Sequence, residues 1–99
     1  MNQTADGFDA IEYPLDYSFK AVCVYKTQAD KAGVSGVEQK IQSVVADIVG
    51  LNAVKSVSSK ISKAGNYISV TTTARLKNRD QLEKVYSVLS ALDIVKMTL

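Results

Sequence analysis

Hydrophobic residues recur along this chain with two different periods, and the changes between them mark out six elements. Residues 17–25, YSFKAVCVY, are aromatic and β-branched, with apolar side chains on both parities. That pattern predicts a central strand with both faces at least partly covered. Residues 26–33, KTQADKAG, are polar and predict a loop. The period then lengthens. Val34, Val37, Ile41, Val44, Val45 and Ile48 return every three or four residues, which gathers them on one face of a helix. Ser35 and Glu38 have the S-x-x-E spacing of a capping box, and Gly50 stands where a left-handed C-terminal cap belongs.

Residues 52–63, NAVKSVSSKISK, alternate weakly, with Val54 out of phase with Val57 and Ile61. Their lysines and serines predict an edge strand, where charged side chains discourage stray pairing. Residues 66–76 alternate cleanly: Ile68, Val70, Thr72, Ala74 and Leu76 face one way, and Tyr67, Ser69, Thr71, Thr73 and Arg75 the other. Gly65-Asn66 supplies the positive φ angles that a tight connection between the two strands uses. Asn78, with Gln81 three residues on, predicts the start of a second helix. Its apolar stripe is Leu82, Val85, Tyr86 and Leu89, and Leu92 closes its end. Residues 93–99, DIVKMTL, predict a short last strand with Val95, Met97 and Leu99 on one face.

The order is strand, helix, strand, strand, helix, strand. Neither half can bury its helix stripe alone, so both helices are expected on one face of a four-stranded antiparallel sheet. Right-handed crossovers then give an α+β fold of the ferredoxin-like split βαβ type. The other face of the sheet is left bare. Residues 1–12 are polar, precede the only proline, Pro14, and predict a loosely ordered lead-in to one domain over 13–99.

Composition narrows the chemistry more than it names a function. A chain of 99 residues holds one core, and its net charge of +2 is too small to argue for nucleic acid or an anionic membrane. There is no histidine and one cysteine, Cys23. Cys/His zinc sites, a Ser-His-Asp triad and a Cys-His dyad are therefore excluded within one chain. Cys23 lies in an apolar strand, where a buried structural thiol is expected. A single cysteine and the lack of an apolar span or signal-like N-terminus lead to the expectation of a cytoplasmic protein with no membrane partner. The carboxylates make no catalytic pair, and Asp80 with Lys84 reads as an exposed helix pair. No phosphate-binding glycine loop is present, and no cofactor or metal is implied.

Three stretches carry a family resemblance: EYPLDYSFKAV (12–22), SKAGNYISVTTTARL (62–76) and DQLEKVYSVLSALDIVKMTL (80–99). In order, they resemble the YbeD-like family of small bacterial proteins of uncharacterised function, over about half the chain. The middle stretch follows the family's S-x-G-N-Y-x-S-V pattern, and the last its helix-to-strand ending. KTQADKAGVSG is longer than the corresponding loop of the family. The resemblance implies a ferredoxin-like domain similar to ACT regulatory domains, which bind amino acids and pair as homodimers. It carries over no catalytic residue.

Two regions are candidate sites. In the loop over residues 27–36, Gly33, Ser35 and Gly36 stand at a helix N-terminus, where free N–H groups can receive a carboxylate or phosphate of a metabolite. On the open sheet face, Tyr67, Ser69, Thr71, Thr73 and Arg75 offer hydroxyls to a second subunit or protein partner. The alternative is single-stranded RNA, because Lys63, Gly65, Tyr67 and Val70 partly echo the RNA-recognition signature. That signature needs two or three stacking rings, and this strand places one ring, Tyr67, on the face. A non-enzymatic regulatory or interaction module is the leading expectation.

Overall fold

Apolar stretches with period two and period 3.6 fold here into two layers, a sheet and a pair of helices. The structure, a computed structural model, describes residues 12–25 and 29–99. The elements are β1 (Leu15–Val24), α1 (Ala29–Val49), a 3-10 turn (Leu51–Ala53), β2 (Val54–Ile61), β3 (Tyr67–Leu76), α2 (Arg79–Ser90) and β4 (Val95–Thr98). The strands form one antiparallel sheet in the order β2-β3-β1-β4. This is the predicted ferredoxin-like α+β arrangement, with β1 central and β2 at an edge. Of the lead-in expected over residues 1–12, all but Glu12 lies outside the described residues, as do residues 26–28 of the expected loop.

The core lies between the sheet and the helices. Phe19, Ala21 and Cys23 of β1 and Ile68, Val70, Ala74 and Leu76 of β3 meet Val37, Ile41, Val45 and Val49 of α1 and Leu82, Val85 and Leu89 of α2. Each set is the apolar phase of its element. Beside this core Phe19 stacks edge-on to Tyr86, with ring centres 5.1 Å apart. The Tyr86 hydroxyl lies 2.9 Å from that of Tyr17 and donates to the Leu99 carbonyl at 3.2 Å. Tyr17 therefore donates to Tyr86, and the relay ties β1, α2 and the C-terminus together.

The caps follow the sequence at α2 and depart from it at α1. Asn78 Oδ1 accepts from the Gln81 N–H at 3.0 Å, and Gln81 Oε1 accepts from the Lys77 N–H at 2.7 Å. At α1 the helix begins earlier than expected. Residues 29–32 are helical, and Gly33 (φ 66°, ψ −163°) interrupts the helix with a kink. Glu38 is turned to β2, where it accepts from Ser59 Oγ at 2.5 Å. Gly50 has the expected positive φ of 97°, but with ψ 141° it leads straight into the 3-10 turn instead of a left-handed cap. Between β2 and β3 only Gly65 takes a positive φ, so Asn66 does not share that role. The exposed helix pair is Arg79–Glu83 at 2.7 Å.

One expectation about β4 is overturned. The register shifts between Val22 and Cys23, so Cys23 faces Val95 while Val22 faces Met97. The extra residue, Lys96, is a β-bulge that reverses the phase. Val95 goes into the core, and Met97 and Leu99 come out on the opposite face at 52% and 57% exposure. A second bulge, at Lys55, explains why Val54 is out of phase with Val57: both face inward across it.

Two expectations follow for stability. Thr72 is fully buried opposite Phe19 and Val57, and its hydroxyl has no hydrogen-bond partner. An unsatisfied buried hydroxyl costs about 1–3 kcal/mol. Thr72→Val, which keeps the shape, is expected to raise the unfolding free energy by about 1 kcal/mol in a denaturant titration. Burial also pushes the Cys23 thiol up to about 11. Burial first, then the hydrogen bond with Tyr17, pushes the Tyr86 phenol upward too. Both groups lose their protons sooner in the unfolded chain, so folding weakens as pH rises. The Cys23 contribution is fully present below its ordinary value of 9 and is lost as pH climbs toward about 11. Denaturant midpoints should fall above pH 9, with a shallower fall in Cys23→Ala.

Candidate functional site

Because β1 and β3 pair without a break, their outward residues form rows across the open face. Arg75 stands beside Asp16, Thr73 beside Ser18, Thr71 beside Lys20, Ser69 beside Val22, and Tyr67 beside Val24. β2 extends three rows with Ser56, Ser58 and Lys60. β4 adds Met97 next to Val22. The Leu99 N–H donates to the Lys20 carbonyl at 2.8 Å, which sets Leu99 at the next row.

Tyr67, Ser69, Thr71, Thr73 and Arg75 thus share the open face, as their alternation predicts. Part of the hydroxyl surface is already satisfied: Ser18 Oγ and Thr73 Oγ1 lie 2.7 Å apart. Arg75 donates to Asp16 Oδ1 at 3.2 Å in an exposed pair. The sequence reading missed the apolar half of the face. Val22, Val24, Tyr67, Met97 and Leu99 make a contiguous patch over β3, β1 and β4. The apolar residues on both parities of β1 were a signal for it. Met97 and Leu99 were hidden by the bulge.

Both edges of the sheet are guarded in the same way. Each outer strand carries a bulge, and the extra residue is a lysine, Lys55 on β2 and Lys96 on β4. Bulges and charges on edge strands discourage strand-to-strand association. The two central strands, by contrast, pair without a bulge.

The other candidate region is differently built from expectation. Gly33 is the kink residue, Ser35 is exposed and Gly36 is half-buried. Helix lies on both sides of Gly33, so residues 29–36 are not the open loop that the sequence predicts, and residues 27–28 of that segment lie outside the described residues. None of the described clefts is lined by these three residues. For RNA, Tyr17 and Phe19 of β1 turn toward the core, which leaves Tyr67 as the one ring on the open face among the described residues. Base stacking across two strands has no platform here. Among the described residues no three acidic or cysteine side chains gather as a metal site. The buried Cys23, with its thiol pushed up to about 11, is a poor nucleophile. Among the described residues no helix is long and apolar enough to cross a membrane.

Comparison with known proteins sets this geometry in a lineage. Residues 9–99 match the family described as "Protein of unknown function (DUF493)". The chain belongs to this family. Relatives within reach of alignment are UPF0250 proteins. One from Leptothrix cholodnii is 34% identical over 89 residues, spanning 90% of this chain and 89% of that one. Another, from Shewanella amazonensis, is 31% identical over 100 residues and spans 100% of this chain and 99% of its own. The solution structure of protein HP0495 from H. pylori superposes with a TM-score of 0.66 over 98% of both chains. At 17% identity that likeness speaks for the fold alone. The UPF0250 relatives make this a family of small bacterial proteins, as the three quoted stretches implied.

Proposed function

We propose that this UPF0250 chain is a non-enzymatic interaction module that works through its open sheet face, and that the surface across that face is a second copy of the chain. The apolar patch of Val22, Val24, Tyr67, Met97 and Leu99 carries this reading. Three of those side chains stand 41–57% exposed on the side of the sheet that neither described helix covers. An antiparallel sheet facing water ordinarily alternates to polar residues on that side.

Size and symmetry support a pair of like chains. Four strands and about seven residues per strand make a face of roughly 20 by 25 Å. Two such faces together bury on the order of 1,000 Å², the lower end for a specific interface. In a two-fold pair the same patch meets itself, so apolar meets apolar without a second complementary surface. The hydroxyls of Ser69 and Thr71 border the patch and can bond across it. Pairing of this modest strength responds to small changes in either copy, which suits a regulatory role. The missing histidine and the buried thiol argue against catalysis.

Sedimentation over micromolar to millimolar concentrations tests the proposal. A monomer–dimer equilibrium is expected, abolished by Met97→Lys with the melting temperature unchanged. Leu51→Ser, more exposed than Met97 but off the face, should leave the dimer intact. A monomer at every concentration, or a dimer indifferent to Met97→Lys, would contradict the reading.

A further inference from the structure

A second surface feature lies at the end of the sheet where α1 leaves the core and β1 enters. It is an open cleft of about 770 Å³. Pro14, Val49 and Leu51 supply apolar walls, and Lys55, Arg75 and Lys77 stand around them. Among the described residues no acidic side chain lines it. We propose that this cleft binds a small amphipathic anion, with a carboxylate or phosphate head among Lys55, Arg75 and Lys77 and an apolar body against Leu51, Val49 and Pro14.

Three observations converge on that class of ligand. The first is size, since the volume lies within the range of small-molecule sites. The second is charge. Lys55 and Lys77 have no ion pair among the described residues, and Arg75 has only its exposed bond to Asp16. Cations gathered in a concave site with apolar walls focus a positive potential and draw in anions. The third is the exposed anchor: Leu51, at 69% exposure, is the most exposed large apolar side chain described. It is held on a 3-10 turn that Gly50 sets at an angle only glycine adopts readily.

The local backbone explains why these groups meet. Lys55 is the bulged residue of β2, and bulges re-aim side chains at the ends of strands. Arg75 and Lys77 are two residues apart at the end of β3, next to the β1 start that Pro14 precedes. Arg75 also belongs to the open face, where it holds Asp16. An anion in the cleft competes with Asp16 for that guanidinium. The cleft site stands independently of pairing through the face, because it shares only this one side chain with it.

Four probes separate the two halves of the claim: 4-phenylbutyrate, phenyl phosphate, the neutral 4-phenylbutanol and inorganic phosphate. Each is titrated into the ¹⁵N-labelled protein, and amide shifts are followed. Dissociation constants of about millimolar are expected for one or both charged aromatic probes, as befits ligands of about ten heavy atoms. Shifts should centre on residues 49–55 and 75–77, and the two arms tell a carboxylate head from a phosphate head. The alcohol and inorganic phosphate should each bind at least tenfold more weakly. Lys55→Gln with Lys77→Gln should weaken the charged probe at least tenfold with an unchanged melting temperature. Leu51→Ser should weaken it without altering the charge. Equal binding by the alcohol, equal binding by inorganic phosphate, shifts centred elsewhere, or indifference to the double substitution would each overturn the proposal. So would a fall in melting temperature in the double variant without any probe binding to the native chain, since the lysines would then serve only the C-terminus of α1.

Discussion

Each residue of β1 from Leu15 to Val24 faces a residue of β3 from Leu76 to Tyr67, with no slip in register. Because side chains alternate with period two, that single pairing assigns every residue of the two central strands to the core or to the open face. Phe19, Ala21, Cys23, Ile68, Val70 and Ala74 become the floor on which both helices lie. Val22, Val24, Tyr67 and the hydroxyl residues become the surface left over. A one-residue slip of β1 would bury Lys20 and expose Phe19, and one of β3 would bury Arg75 and expose Val70, so the helices could not dock.

The outer strands are less regular, and their irregularities serve the surface. Each contains one bulge, and a lysine is the extra residue in both. The bulge on β4 turns Met97 and Leu99 outward beside Val22, which enlarges the apolar part of the face. The bulge on β2 brings Val54 and Val57 to the same side and leaves Lys55 at the rim of the cleft. Both also spoil the edges as templates for another strand.

Much of the fold is legible in the sequence because its signals are local. The alternation of residues 66–76, the stripe of α1 and the Asn78–Gln81 cap each depend on residues a few positions apart. What the sequence conceals depends on pairing between distant strands. Nothing within DIVKMTL announces the bulge at Lys96, since the phase of β4 is decided by the Val22 and Cys23 register. Glu38 has the spacing of a capping box, yet Ser59, twenty-one residues on, offers it a hydroxyl at 2.5 Å. The hydroxyl half of the open face could be read from β3 alone. Its apolar half, and the three cations of the cleft, come from strands that only the register brings side by side.

The central claim is that the apolar half of the open face meets its own copy. It is tested most directly by isotope-filtered nuclear Overhauser contacts in a sample mixing labelled and unlabelled chains. The account predicts intermolecular contacts among the methyl groups of Val22, Val24, Met97 and Leu99 and the Tyr67 ring. Contacts confined to the helix side, such as Gln39 and Gln42, or to the outer edge of β4, would contradict it, and so would the absence of any intermolecular contact at millimolar concentration.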